Sequence, residues 1–113
     1  MAKSVLLVSD DEAFRSKVAI LVHNKGFNYV VVKDIESARS ALVRSPHDLV
    51  LIDSRVGPVD DLKSFANKLH GLGFKVLVAL QILVVWQGLK APFIHKARVE
   101  ADLLGYLEVN FKD

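Results

Sequence analysis

The sequence predicts an α/β fold in which a parallel β-sheet is covered by helices on both faces. Short apolar segments of strand length alternate along the chain with amphipathic helical patterns. The apolar segments lack the polar alternation of a strand that has one face in water, so each is expected to be buried on both faces. This combination is typical of right-handed βαβ units. We expect a single domain that spans residues 1–113.

Composition agrees with a globular domain and excludes several classes of function. The chain is 51% hydrophobic and 25% charged, with a net charge of +2. It has no cysteine, which excludes disulfides and zinc–thiolate sites. The basic residues are scattered, so no nucleic-acid partner is predicted. The apolar run near the N-terminus is too short for a signal peptide or a membrane span, and we expect a cytoplasmic domain with no membrane partner.

Four strands are predicted directly from apolar runs that end at turn-forming or capping residues. None of these runs contains a charged side chain. They are Ser4–Val8, Tyr29–Val32, Leu49–Ile52 and Val76–Leu80.

The predicted helices begin after side chains that can cap them, and they stop near glycine or proline. The first helix begins at Glu12, after the segment Ser9-Asp10-Asp11. The second follows Asp34, and Asp60 or Asp61 caps the third. Apolar residues recur along each at helical spacing, so one face of every helix is expected to contact the sheet.

Carboxylates follow two of the strands. Asp10 and Asp11 come after the first strand, and Asp53 comes after the third. Because carboxyl ends of neighbouring parallel strands meet at one edge of a sheet, Asp10 and Asp53 should lie within a few ångströms. Like charges that close need a cation, and Mg²⁺ suits carboxylate ligands. A carboxylate can also form an aspartyl-phosphate, although capping and turn formation alone would also explain these aspartates.

Two segments, "VLLVSDDEAFR" and "SPHDLVLIDSRVGPVDDLKSFANKL", resemble the receiver domain of two-component response regulators, the CheY-like family. The resemblance extends along the first 80 residues. It implies a flavodoxin-like, doubly wound sheet of five parallel strands in the order 2-1-3-4-5. It also implies a phosphorelay signalling domain and not an enzyme that turns over a substrate.

The resemblance assigns roles to three positions in the acidic site, and a fourth residue lies beside them. Asp53 matches the phospho-acceptor, Asp10 matches the acid that binds Mg²⁺ directly, and Arg55 matches the residue whose backbone carbonyl binds the metal. Asp11 lies one position late and would reach the metal through water. These residues together with Mg²⁺ form the expected phosphorylation site.

The sequence also departs from the family pattern. Ser9 stands where the family has the first acid of its acidic pair. Leu80 stands where the family has a serine or threonine that binds the phosphoryl group and couples it to the rest of the domain. A leucine side chain cannot donate a hydrogen bond, so the usual switch is expected to be altered.

The fifth strand can be placed in two ways. Tyr106–Val109 would leave no final helix. Phe93–Lys96 completes the fold with a last helix at Arg98–Lys112, and this register is preferred. It matches Lys96 to the family's lysine, matches Phe93 to its switching aromatic residue, and puts Ala97 in place of the usual proline.

The segment between the fourth and fifth strands is unusual. Residues 81–91 are predicted to form a shortened fourth helix and a loop, but residues 82–86 are five consecutive apolar residues. One helix face cannot bury five consecutive positions. Either the fourth strand is longer, or part of the segment, including Trp86, forms an interface with a partner.

Two functional hypotheses follow. In the first, a histidine kinase or phosphotransfer protein phosphorylates Asp53 with Mg²⁺, and Lys96 pairs with the phosphoryl group. In the second, the chain is a phosphorylation-independent pseudo-receiver that acts as an interaction or dimerisation module. Either hypothesis predicts an output protein or a homodimer bound through the surface of the fourth helix, fifth strand and last helix, around Trp86.

Overall fold

The computed structural model describes residues 3–81 and 86–111, which form one sheet with helices on both faces. Its five parallel strands follow the predicted order, β2-β1-β3-β4-β5. The strands are β1 (Ser4–Val8), β2 (Asn28–Val32), β3 (Leu49–Asp53), β4 (Val76–Leu80) and β5 (Phe93–His95). The helices are α1 (Glu12–Asn24), α2 (Ile35–Arg44), α3 (Val59–Gly71) and α4 (Val99–Asn110).

The preferred register of the fifth strand is confirmed. Phe93 pairs with Val78, and the last pair of β5 joins His95 to Leu80. The strand is one residue shorter than expected, because Lys96 begins a short 3-10 turn that leads into α4. The alternative strand, residues 106–109, lies inside α4.

Two apolar clusters fill the space on either side of the sheet. Alternate side chains of a strand point to opposite faces, so β1, β3 and β4 each contribute buried residues to both clusters. From β1, Val5 and Leu7 pack with α1 and α4, whereas Leu6 and Val8 pack with α2 and α3. Every residue of β3 and β4 is buried. This double coverage explains why Leu49–Ile52 and Val76–Leu80 are apolar throughout. The expected burial of β2 on both faces was wrong, since Asn28, Tyr29 and Val30 are exposed in this edge strand.

The first two helices are capped as predicted. Asp11 accepts hydrogen bonds from the backbone N–H groups at the start of α1, and Asp34 accepts one from Ser37 at 2.8 Å. The helix α1 ends at Asn24, and Gly26, two residues later, has a φ of 84°, in the left-handed region that glycine tolerates. There the N–H of Phe27 donates to the carbonyl of Val22, as in a Schellman motif.

The predicted cap of α3 was wrong. Pro58 occupies the capping position and makes no side-chain cap, while Asp60 and Asp61 lie in the first turn. Proline at this position has a backbone φ of −61°, close to the value its ring imposes. Carboxylates in a first turn still favour the helix through its dipole.

The described residues between β4 and β5 contain no helix. The expected shortened fourth helix therefore has no support at Gln81 or at residues 86–91, and residues 82–85 lie outside the described part of the chain. Side chains of α3 hold this connection. Asn67 donates to the Gly88 carbonyl at 2.8 Å and accepts from the Lys90 N–H at 2.7 Å, and Lys63 donates to the Gln87 carbonyl at 2.9 Å. No helix within the described ranges is long and apolar enough to span a membrane.

Asn67→Ala is expected to lower the free energy of unfolding by about 1–2 kcal/mol, since it removes two hydrogen bonds that fix residues 88–90. Urea denaturation followed by Trp86 fluorescence measures this, because Trp86 lies at the start of the held segment. Asn67→Asp is the matched control, because it keeps the hydrogen-bond acceptor and loses the donor. Its free energy of unfolding should lie between those of the wild type and Asn67→Ala. Equal stability of all three proteins would contradict the expected role of Asn67.

His47 lies just before the start of β3, whereas Asp53 lies at the end of this strand, and the pKa of His47 is lowered. The Nδ1 atom of His47 lies 3.0 Å from the Ser4 hydroxyl, and burial lowers the His47 pKa from its ordinary 6.5. The unfolded chain then binds a proton more readily than the native chain, so stability falls as pH falls through 6.5. His47→Gln is expected to flatten this part of the curve of unfolding free energy against pH, measured by urea denaturation at a series of pH values. Equally steep curves for both proteins would show that His47 is not responsible.

Candidate functional site

The candidate site is centred on Asp53, the last residue of β3. Its side chain is fully buried, with 0% exposure. The residue pairs with Ala79 of β4, and four apolar residues precede it in β3. An ionised carboxylate in such a place is strongly destabilising unless it is paired and hydrogen-bonded. The surrounding residues must therefore supply both a cation and hydrogen-bond donors.

Three donors contact the Asp53 carboxylate. The Ser9 hydroxyl donates to Oδ2 at 2.7 Å, and Lys96 Nζ donates to the same oxygen at 2.9 Å. The backbone N–H of Arg55 donates to Oδ1 at 3.1 Å. Both carboxylate oxygens thus accept hydrogen bonds from this chain itself.

Lys96 joins two acids. Its Nζ lies 2.9 Å from an oxygen of Asp11 as well as from Asp53, and the Lys96 side chain is only 10% exposed. The ammonium group also lies 5.0 Å from the centre of the Phe14 ring, a favourable cation–π position. The hydrogen bond from Lys96 is the largest cause that lowers the pKa of Asp11, followed by its helix-capping bond from Phe14.

Ser9 and Asp10 differ in burial. Asp10 is exposed, whereas Ser9 is buried and donates a hydrogen bond to Asp53. Ser9 extends the pairing of β1, since its N–H donates to the Val32 carbonyl at 2.9 Å. The expected proximity of Asp10 and Asp53 stays a prediction.

Several groups expected at the magnesium site make contacts within the protein, and Mg²⁺ binding there stays a prediction. Within residues 3–81 and 86–111, no group of three histidine or acidic side chains is placed to hold a metal ion. Both oxygens of Asp53 already accept hydrogen bonds, and Asp11 caps α1 while it pairs with Lys96. Arg55, expected to offer its carbonyl to the metal, contributes its N–H to Asp53.

The end of β4 offers no side-chain hydroxyl to the site. Leu80 is buried with 3% exposure and belongs to the core cluster next to α3. The nearby Ser54 hydroxyl accepts a hydrogen bond from the Gln81 backbone N–H at 3.2 Å. That serine supports the backbone after β4.

The predicted switch and interface residues lie outside this cluster. Phe93 is 46% exposed on β5. Trp86 is half-buried and packs with Leu89 against the core cluster beneath α3. Its predicted role in a partner interface stays a prediction.

Sequence reasoning missed the role of Ser9. It treated this serine only as the loss of an acid, whereas the structure shows a buried hydroxyl that accepts from the Asp11 N–H at 3.1 Å and donates to Asp53 at 2.7 Å. The signal was its place directly after a fully buried strand. At such a position a polar side chain must find a partner within the protein.

Comparisons with known proteins place this arrangement in a known fold. The structure is similar to chemotaxis response regulator CheY4 of Vibrio cholerae, with a TM-score of 0.80, 17% identity and coverage of 96% of this chain and 98% of that one. A response regulator from Thermotoga maritima also gives 0.80, with 21% identity and coverage of 96% and 97%. A CheY-like receiver domain from Methylobacillus flagellatus gives 0.73, with 19% identity and coverage of 96% and 98%.

The chain has the fold of a CheY-like response regulator receiver domain. No family model and no curated protein matches it in sequence. The receiver fold is thus shown by structure, across nearly the whole chain.

Lys96→Met is expected to lower the free energy of unfolding by about 3 kcal/mol or more, because it leaves the Asp53 carboxylate buried without a cation. Asp53→Asn alone should lower the free energy of unfolding less than Lys96→Met does, since Lys96 keeps Asp11 as its partner. The double variant should recover much of the loss of Lys96→Met. Urea denaturation of the four proteins as a double-mutant cycle measures the coupling. A double variant less stable than Lys96→Met would contradict this account.

Proposed function

We propose that this receiver-fold chain is a signalling module that works without metal-assisted phosphorylation and passes its signal by binding another protein. One observation carries the proposal. The Asp53 carboxylate is fully buried, both of its oxygens accept hydrogen bonds from the protein, and Lys96 balances its charge. A phosphoryl donor would have to displace these contacts before it reached Asp53.

The departures at Ser9 and Leu80 support the same proposal. A second carboxylate at position 9 would face Asp53 and require a cation, whereas the Ser9 hydroxyl stabilises Asp53 directly. Leu80 joins the core and has no group with which to bind a phosphoryl oxygen. The site therefore has few contacts that would change on phosphorylation.

The proposed partner is an output protein or a second copy of this chain, bound through the surface around Trp86 and β5. One similar structure, from Carboxydothermus hydrogenoformans, is the N-terminal domain of a three-domain response regulator/sensory box/GGDEF protein, with a TM-score of 0.75 and 21% identity. It is an example in which this fold is linked to other domains. Phe93, 46% exposed on β5, gives the proposed surface an aromatic contact.

A second candidate function is phosphoryl transfer to Asp53 from a histidine kinase or phosphotransfer protein. The contact of 2.9 Å between Lys96 and Asp53 favours it, because a lysine in that position can pair with phosphoryl oxygens. This function would require the side chains of Asp10 and Asp11 to rearrange if Mg²⁺ takes part.

Incubation with acetyl phosphate and Mg²⁺, followed by intact-mass measurement, separates the two candidates. The wild-type chain is expected to gain no phosphoryl group. Ser9→Asp is expected to bind Mg²⁺ at least tenfold more tightly than wild type, because it places a second carboxylate against Asp53. Trp86 fluorescence and calorimetry measure that binding.

Ser9→Asn is the matched control, since it changes size and polarity without adding charge, and it should gain no affinity for Mg²⁺. A phosphoryl adduct on the wild-type protein that disappears in Asp53→Asn would overturn the proposed function and establish the second candidate.

A further inference from the structure

A pocket of about 250 Å³ opens beside the contact between Lys96 and Asp53. Its wall includes the first turns of α1, the residue after β4 and the turn after β3. The side chains important to the argument are Asp11, Phe14, Lys17, Arg55, Gln81 and Lys96.

The charges on this wall are not balanced. Lys96 is paired with Asp11 within the pocket and with Asp53 beneath it, both at 2.9 Å. Lys17 has a long contact of 3.8 Å with Glu100 as its one ion pair in the described part of the chain, and both of those side chains are largely exposed. Arg55 has no ion-pair partner among residues 3–81 and 86–111, and its side chain is exposed. Lys17 and Arg55 therefore offer positive charge that internal acids do not neutralise.

The rest of the wall suits a small organic molecule better than a bare ion. The exposed Ala13 and Ala97 present apolar surface, and Phe14, 4% exposed, contributes a small part of the wall. The exposed Gln81 side chain adds an amide that can donate or accept. An arginine can hold a carboxylate or phosphate through two parallel hydrogen bonds. An apolar wall with a few polar groups that fix orientation is typical of ligand sites.

We propose that this pocket binds a small organic anion without covalent chemistry, with its carboxylate or phosphate group held by Arg55 and Lys17 and its apolar part against Phe14. The inference rests on the proposed function, since it gives a phosphorylation-independent receiver a ligand that acts beside Asp53. The bound anion would contact α1, the turn after β3 and the residue after β4 together. It would thus connect the same elements that a phosphoryl group connects in receiver domains.

The test is calorimetry at low ionic strength, without Mg²⁺, using phenyl phosphate and benzoate as probes. Phenol and inorganic phosphate serve as the uncharged and the purely ionic comparisons. Phenyl phosphate or benzoate is expected to bind at least fivefold more tightly than either comparison. The probe that binds more tightly shows which anionic group the pocket prefers.

Arg55→Gln is expected to weaken binding of the preferred probe at least tenfold. The double variant, Arg55→Gln with Lys17→Gln, is expected to weaken it further. Lys68→Gln removes an exposed lysine of α3 away from the pocket and is the matched control, with no more than a twofold change. Amide chemical shifts should change around Phe14 and Gln81. No binding to the wild type, or equal binding to the double variant, would overturn the inference.

Asp53→Asn separates this inference from the proposed function. It removes any phosphoryl acceptor but leaves Lys17 and Arg55 in place, so binding should persist within about threefold. Loss of binding in this variant would overturn the inference. A phosphoryl adduct in the acetyl phosphate experiment would overturn only the proposed function.

Discussion

The structure of this site depends on one buried ion pair, Lys96 with Asp53. Apolar residues of β3 and β4 surround Asp53, and removing its cation would leave a charge that the interior cannot solvate. Lys96 reaches it only because β5 ends at His95 and the chain turns directly into α4. The placement of the edge strand β5 therefore determines whether Lys96 can neutralise Asp53 at the end of the central strand β3. The second contact of Lys96, with Asp11, ties the start of α1 to the same point.

Ser9 adds a hydrogen bond to this arrangement without adding a charge. An acid at that position would put two negative charges against one lysine, and a divalent cation would be the natural remedy. A hydroxyl gives Asp53 a short hydrogen bond of 2.7 Å and brings no charge. The positive charge of Lys96 is then shared by Asp53 and Asp11, while Asp10 remains in solvent. One substitution in the acidic turn thus changes what the remaining acids need.

Much of the fold could be predicted from the sequence because burial on both faces leaves a simple signal. The segments Val5–Val8, Leu49–Ile52 and Val76–Leu80 are apolar throughout. Completing the fold favoured β5 at Phe93 over a strand inside α4. The site was harder because its contacts depend on side-chain direction at the ends of strands. Sequence alone does not show that Ser9 faces Asp53 while Asp10 faces solvent. The prediction of the α3 cap was wrong because Pro58, Asp60 and Asp61 are all compatible with a helix start, so the sequence does not single out one of them.

The connection between β4 and β5 shows how the core of this fold is completed with an apolar residue, Leu80, at the end of β4. Leu80 and Ala91 are buried in the cluster next to α3, with Trp86 and Leu89 packed at its edge. Asn67 and Lys63 then fix the loop by hydrogen bonds to its backbone. Residues 87–90 of this loop are held by side chains of α3, whereas the Gln81 N–H donates to the hydroxyl of Ser54, the residue that follows Asp53. A molecule bound in the pocket beside Asp53 would contact Arg55 and Gln81 directly, so it would act on both ends of this connection to the site.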